Sequence, residues 1–245
     1  WSMTKEITAG SNYVDINNLT PNVHYTYKVS SIEKGTVMTE GNFTTYGHIR
    51  QVFFKTRVRN GRDMGGWLTY DGKMVKYHKI YRTGRWESST MANSGKKAII
   101  AEGIKAQLDL RNTSDVLDAP AIDGMDFCAP LIETGGDSML KAEKGDKTRQ
   151  CMQFIIDCVK NDKPVIYHCS LGRDRTGTLV MILQGLCGVE KSDIYMDYEM
   201  SMFSYGGTQD GSNPWQYIQE TYAYINNNYS GDSFAEKTEN YLLSC

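Results

Sequence analysis

Residues 164–186 read Pro164-Val-Ile-Tyr-His168-Cys-Ser-Leu-Gly-Arg-Asp-Arg-Thr176-Gly-Thr-Leu-Val-Met-Ile-Leu-Gln-Gly-Leu186. The apolar run after Pro164 predicts a buried strand ending at His168. Gly177 to Leu186 predicts a helix that is apolar nearly all round and therefore central. Cys169 to Thr176 is then the turn between them. A strand that passes through a short loop into a buried helix aims the loop's N–H groups and the helix N-terminus at one spot, which is a ready anion site.

Five residues separate Cys169 from Arg175, enough for the chain to curl so that both side chains converge on a group held by the amides of Ser170, Leu171, Gly172, Arg173, Asp174 and Arg175. Gly172 permits the positive φ that such a curl requires. A thiol at the positive end of a helix, near Arg173 and Arg175, is favoured as thiolate and so as a nucleophile. Arg175 can hold two phosphoryl oxygens in a planar fork and follow them through the transition state, which a lysine could not do. The Thr176 hydroxyl can donate to the sulfur when it becomes a leaving group. A bare Cys-x5-Arg spacing arises often by chance; its place between a buried strand and a buried helix is what makes it specific. The expected chemistry is hydrolysis of a phosphate monoester.

Outward from this unit, residues 147–161 predict a helix carrying Cys151, Met152, Ile155, Ile156 and Val159 on its buried face, ended by Asp162-Lys-Pro164. Residues 89–103 predict a helix, and Ala106-Gln-Leu-Asp-Leu110 a short strand ending at Arg111. Near the C-terminal end, Trp215, Ile218, Tyr222 and Ile225 recur at helical spacing as a core stripe. Alternation of strands and helices from about residue 48 predicts an α/β domain over 48–245. Residues 1–47 instead alternate apolar and polar side chains, as in Tyr25-x-Tyr27-x-Val29 and Val37 to Phe43, broken at Glu33-Lys-Gly35. This segment predicts a partial β-sandwich. Its stretch Asn18-Leu-Thr-Pro-Asn-Val-His-Tyr-Thr-Tyr-Lys-Val29 resembles the late strands of a fibronectin type III-like module, but it is too short for a whole one.

The 245 residues are 40% hydrophobic, enough for a substantial core, and 27 Lys+Arg against 29 Asp+Glu give a formal charge of -2. No global field favours nucleic acid, so phosphate affinity has to be local. No run reaches the length of a membrane span. Six cysteines, at 128, 151, 158, 169, 187 and 245, form no CxxC pair or zinc-like cluster. Cys151, Cys158 and Cys187 are expected as small buried hydrophobes. Gly145-Asp-Lys-Thr148 lacks the Gly-Lys-Ser/Thr adjacency of a nucleotide-binding loop.

His168, Cys169, Arg175 and Thr176 fill every fixed position of the His-Cys-x5-Arg-Ser/Thr signature of the protein tyrosine phosphatase superfamily. Arg62-Asp-Met-Gly-Gly-Trp-Leu-Thr-Tyr-Asp-Gly-Lys73, Ile80-Tyr-Arg-Thr-Gly84, Leu108-Asp-Leu-Arg111 and Gly172-Arg-Asp-Arg-Thr-Gly177 together resemble the bacterial tyrosine and lipid phosphatases, also called tyrosine phosphatase family 3. The resemblance covers about residues 48–245. It implies a mainly parallel central sheet flanked by helices, a phosphocysteine intermediate, and no metal or cofactor. The implied substrate is a phosphotyrosine protein, with dual-specificity or phosphoinositide activity as alternatives; a catalytically silent phosphate-binding module is the competing reading.

No Trp-Pro-Asp loop is present to supply the general acid. The resemblance places that role on Asp174 inside the loop, with Asp109 as rival and Asp126 and Asp137 as outside candidates. Asp109 and Arg111, at a strand end, equally suit a salt bridge bracing the floor, with His168 and Gly177 supporting the loop. Arg173 stands where relatives that accept phosphoinositides often carry lysine, so it offers a cation for a second phosphate. Arg62, Arg82 and Arg85 invite the same reading. A sandwich fragment ahead of such a domain suggests a periplasmic or secreted bacterial protein.

Overall fold

The computed structural model describes residues 2–8, 10–54, 58–86, 93–133, 140, 145–204 and 214–245. Near the N-terminus, β1 (His24–Ser30) and β2 (Val37–Thr44) pair as an antiparallel hairpin. Tyr25 faces Phe43 in the register, and the two rings stack with centroids 5.7 Å apart. These strands coincide with the two alternating runs of the sequence. Among the described residues before 48 no further strand forms, so what stands here is a two-stranded sheet. The chain just ahead of it is tied to the main body through Asn18, whose side chain exchanges hydrogen bonds with the Phe53 backbone (2.7 and 3.2 Å) and whose carbonyl accepts from Arg50 Nη2 at 2.6 Å.

The second sheet has five strands: β3 (Arg62–Asp63), β4 (Ile80–Thr83), β5 (Ala106–Asp109), β6 (Asp126–Cys128) and β7 (Val165–His168). Their order is β3-β4-β7-β5-β6; β4, β7, β5 and β6 run parallel, and only the edge strand β3 is antiparallel. Among the described residues six α-helices accompany them: α1 (Asn93–Ala101), α2 (Gly145–Lys160), α3 (Asp174–Leu186), α4 (Lys191–Glu199), α5 (Pro214–Asn228) and α6 (Phe234–Ser244). This is the α/β architecture that the sequence predicts, with the mainly parallel sheet that the family resemblance implies. Residues 89–92, expected in the first of these helices, lie outside the described residues.

Strand β7 explains the layering. Its four residues are all buried, and successive side chains leave opposite faces. Val165 and Tyr167 enter a core shared with α2, α3, α4, α5 and α6, while Ile166 enters a second core with Tyr81, Trp86 and Ile99 of α1. Helix α3, buried along Arg175–Gly185, packs on the sheet side of α4, α5 and α6. Burial of Leu179, Val180, Met181 and Ile182 stabilises by roughly 1.5–3 kcal/mol per side chain.

Local signals set the helix ends. Asp162 adopts φ +53 after α2, and the Lys163 amide returns to the Cys158 carbonyl at 2.9 Å, a left-handed stop completed by Pro164. Helix α6 opens on a capping box between Ser233 and Glu236.

Two expectations about burial need correction. On α2 the covered stripe is Thr148, Cys151, Met152, Ile155 and Cys158, so Ile156 and Val159, expected in the core, are each 37% exposed. The helix packs against β5, β7 and α6 along one narrow line, and residues 156 and 159 lie past its edge. Cys187 is exposed rather than buried because it caps α3 where that helix leaves the core; Cys151 and Cys158 are buried as expected.

Replacing Ile155 by Ala is expected to cost about 2–5 kcal/mol, whereas Ile156→Ala should cost about 1 kcal/mol or less. Urea unfolding midpoints at unchanged slope would measure both, and equal losses would overturn this assignment of the α2 face.

Candidate active site

Strand β7 delivers His168 to the carboxyl edge of the sheet, between the ends of β4 and β5. The chain then turns through Cys169–Arg173, and α3 begins at Asp174. Asp174, Arg175 and Thr176, read from sequence as part of the turn, are therefore its first helical residues. The loop's carbonyls face outward onto the scaffold. Ser170 O accepts from the Arg85 amide at 3.0 Å. Leu171 O accepts from Asn60 Nδ2 at 3.4 Å, and Gly172 O accepts from Asn60 Nδ2 at 2.8 Å and Arg82 Nη2 at 2.6 Å.

Because a trans peptide holds its C=O and N–H on opposite sides, the outward carbonyls of Ser170, Leu171 and Gly172 turn the amides of Leu171, Gly172 and Arg173 inward. Among the described residues, the amides of Ser170, Leu171 and Gly172 donate to no other group. They join the unfilled N–H groups of the first turn of α3 to form an anion cradle. Gly172 has φ +70, and a Cβ there would stand 2.4 Å from Thr83 O and 2.5 Å from the Gly84 amide nitrogen. Both the conformation and the close approach demand glycine.

Cys169 is 3% exposed, at the base of this cradle. Thr176 Oγ1 is buried and has no partner among the described residues, so one hydroxyl donor in the first turn is left uncommitted. Arg175 is anchored from behind: Nη1 donates to Leu110 O (3.2 Å) and Ile132 O (3.0 Å), while Nη2 reaches Ser170 Oγ at 3.4 Å, beside Cys169. The structure thus brings Ser170, Leu171, Gly172, Arg175 and Thr176 together in one loop and helix start beside Cys169. Gly177 lies behind them, where any side chain would meet the Tyr198 ring at 2.5 Å.

Below the cradle lies a fully buried polar floor. Asp109 accepts from Arg111 Nε at 2.9 Å, Nη2 at 2.8 Å and the Arg111 amide at 3.0 Å. Burial would raise the Asp109 carboxyl, but the His168 imidazole and the Arg111 guanidinium outweigh it and hold it below the usual carboxylate range. Gln107 Oε1 accepts from the Ala121 amide at 2.8 Å, which fixes the amide's orientation and leaves Nε2 donating to His168 Nε2 at 3.0 Å. His168 Nδ1 faces Cys169 O (3.4 Å) and Asp109 Oδ1 (3.9 Å). His168 thereby braces the loop from beneath.

Asp174 stands at the rim with its side chain 31% exposed. It accepts from Arg173 Nε at 2.9 Å and Nη2 at 3.2 Å, and from Tyr198 OH at 2.7 Å. Arg173 is therefore committed to its neighbour in this structure. Asp126, an outside candidate for the acid, starts β6 opposite Ala106 and pairs with Lys163 at 2.6 Å, at the other end of the sheet. Asp137 lies outside the described residues.

Arg62 and Arg82 must be read differently from the sequence expectation. Neither is a surface cation awaiting a second phosphate: they are 3% and 0% exposed and both bind Asp197 of α4. Only Arg85 of that set is exposed, and its amide holds Ser170 O. Sequence reasoning missed Asn60, Gln107, Asp197, Tyr198 and Ser201. A signal existed for one pair: Ile194, Asp197 and Tyr198 lie at i, i+3 and i+4, so an acid shares an apolar helix face and needs a buried partner. Among the described residues no group of three His, Cys, Asp or Glu side chains could hold a metal ion, and no helix is long and apolar enough to cross a membrane.

Residues 55–233 match a family model described as a tyrosine phosphatase family. A protein of Cupriavidus necator, provisionally named a tyrosine-protein phosphatase, is 23% identical over 164 residues, covering 58% of this chain and 59% of that protein. A tyrosine-protein phosphatase of Nostoc commune is 26% identical over 131 residues, covering 45% of each. The chain thus spans less than two thirds of these relatives' lengths. Among solved structures, TpbA of P. aeruginosa aligns with a TM-score of 0.46 at 13% identity, over 80% of this chain and 95% of that one.

Since the Asp109 carboxyl is depressed by folding, its contribution to stability is complete above the unfolded value, about pH 4, and is lost as pH falls through the lower folded one. Asp109→Asn should destabilise at pH 7 by about 3–5 kcal/mol by leaving Arg111 buried without that carboxylate. In urea unfolding the gap to wild type should narrow at pH 3; a gap independent of pH would contradict the assignment.

Proposed function

This chain belongs to the tyrosine phosphatase family, and from that premise we propose that it hydrolyses phosphotyrosine through a phosphocysteine formed on Cys169. The observation that carries the reading is the outward commitment of the Ser170, Leu171 and Gly172 carbonyls, which leaves an inward amide cradle between Cys169 and Arg175. In the first step the Cys169 thiolate attacks phosphorus in line. The S–P bond forms as the P–O bond to the phenol breaks, and the leaving oxygen takes a proton from Asp174. Water then attacks the phosphocysteine, giving its proton back to Asp174. The thiolate leaves with phosphate as product. The loop amides and Arg175 hold the three equatorial oxygens through both steps, and Thr176 Oγ1, unpartnered at rest, donates to the departing sulfur.

Asp174 is preferred over Asp109 as the acid on placement. The first is half-buried at the rim, while the second is sealed in the floor with both oxygens on Arg111. An incoming dianion competes with Asp174 for Arg173 and so frees the carboxyl to meet the leaving oxygen. Phosphoserine, phosphothreonine and phosphoinositides are further candidate substrates through the family resemblance. Arg173, the cation expected to serve a second phosphate, pairs with Asp174 in this structure.

The protein should turn over p-nitrophenyl phosphate in the presence of a metal chelator, be inhibited by vanadate, and lose turnover in Cys169→Ser with phosphotyrosine binding retained. Binding without turnover in the wild type would establish the silent module instead. Asp174→Asn should reduce phosphotyrosine turnover by roughly 10²–10⁴-fold and remove the fall of rate at high pH, with a smaller loss on the better leaving group of p-nitrophenyl phosphate. A pH profile unchanged in Asp174→Asn but altered in Asp109→Asn would transfer the acid role.

A further inference from the structure

Behind the phosphate loop lies a closed circuit of buried polar groups that chemistry at the cradle does not use directly. Arg82 of β4 is wholly buried; its Nη1 binds Asp197 Oδ2, and its Nη2 donates to Gly172 O at 2.6 Å and to Ser201 Oγ at 3.2 Å. Arg62 of β3 donates through Nε to Asp197 Oδ1 at 3.1 Å and through Nη2 to Asp197 O at 2.8 Å. Its Nη1 binds Asn60 Oδ1, and Asn60 Nδ2 completes the ring by donating to the same Gly172 O at 2.8 Å. Two routes from one carboxylate of α4 thus converge on one carbonyl of the loop.

Two features separate this circuit from an ordinary structural ion pair. First, its charges do not cancel: two guanidinium groups share one carboxylate, so a net positive charge is buried against the loop. Burial and the charge of Arg82 push Arg62 down to about 10, still protonated at neutral pH, while Asp197 is held below the usual carboxylate range because Arg62 and Arg82 outweigh its burial. Second, packing alone would favour apolar residues at such sites, since an ion pair in the interior gains little over a hydrophobic replacement. An uncancelled cation there is useful only if something nearby is negative, and the cradle is built for a dianion.

We propose that Arg82 is a positioning residue for phosphate binding: with Asn60 it pins the Gly172 carbonyl away from the cradle, keeping the next amide turned inward. Together with Arg62 it lends the site a positive charge from behind. The inference rests on the cradle binding a phosphoryl group, as the proposed function requires. A guanidinium fork is needed because Asp197 and Gly172 O are held by different nitrogens, and a lysine reaches one or the other.

The test is calorimetric binding of inorganic phosphate to the full chain, for wild type, Arg82→Lys, Asn60→Gly and the double variant. Glycine suits position 60, where φ is +59, and removes the second donor without changing charge. Each single variant should weaken phosphate about tenfold, the worth of a charge-assisted or buried hydrogen bond. The double variant should fall short of the product of the two because both act through one carbonyl. In p-nitrophenyl phosphate turnover the phosphate inhibition constant should rise in step. If Arg82→Lys does not fold, Asn60→Gly alone decides the matter. Phosphate affinity within about twofold of wild type in folded variants, even with lowered thermal stability, would reduce the circuit to a structural role. If wild type itself binds no phosphate, the proposed function falls, and this inference with it.

Discussion

A backbone loop that presents N–H groups to an anion has to place its carbonyls somewhere else, and in the interior they need donors. Here those donors are the Arg85 amide, the Asn60 side chain and the Arg82 guanidinium. Much of the surrounding architecture follows from supplying them. Strand β4 lies beside β7 so that Thr83, Gly84 and Arg85 run along the outer side of the loop, and β4 in turn brings Arg82 beneath it. Glycine at 172 is forced by the same proximity, because the loop is pressed onto the Thr83–Gly84 peptide with no room for a Cβ. Once Arg82 is buried it requires a carboxylate, and α4 delivers Asp197 from the other side.

Polar groups on this scale are carried by a core that is otherwise apolar and thick. Strand β7 is central in the sheet, and α3 is buried along its length, so both ends of the loop are fixed by packing before any hydrogen bond is made. The helix therefore starts in register with the loop, and Arg175 and Thr176 point from its first turn with little freedom. The polar floor of Asp109, Arg111, Gln107 and His168 then needs to do only one thing, which is to hold the imidazole in place under Cys169.

Legibility in the sequence tracked the range of the interactions. The strand, loop and helix from 164 to 186 were readable because period, turn chemistry and the Cys-x5-Arg spacing are all local, and the salt bridge between Asp109 and Arg111 spans two residues. The partners that orient the loop were not readable, since Asn60 meets Gly172 across 112 residues and Arg82 meets Asp197 across 115. Arg62 and Arg82 looked like surface cations because a charged residue is ordinarily exposed; only the buried acid at 197 reverses that inference. The misplaced α2 face had a different origin. Its apolar residues span a wider arc than the contact line with β5, β7 and α6, and the width of that line is a tertiary property. Likewise, the alternation in 1–47 revealed two strands correctly, but what such a pair packs against is not written in its period.

The same contrast of environments bears on the two carboxylates proposed as the acid. Asp109 and Asp174 each accept from an arginine two residues or one residue away, so their immediate partners are nearly alike. What separates them is what lies beyond the pair. Asp109 is closed in by His168 and the sheet, so its ion pair is permanent and serves geometry. Asp174 is at the rim, where it accepts from both Arg173 and Tyr198 and its carboxyl is in part open to solvent. A proton donor must change state once per turnover. Of the two, Asp174 has the carboxyl that solvent reaches, 31% exposed against 0% for Asp109, and a side chain at Gly177 would push Tyr198 off the Asp174 carboxyl to which it donates.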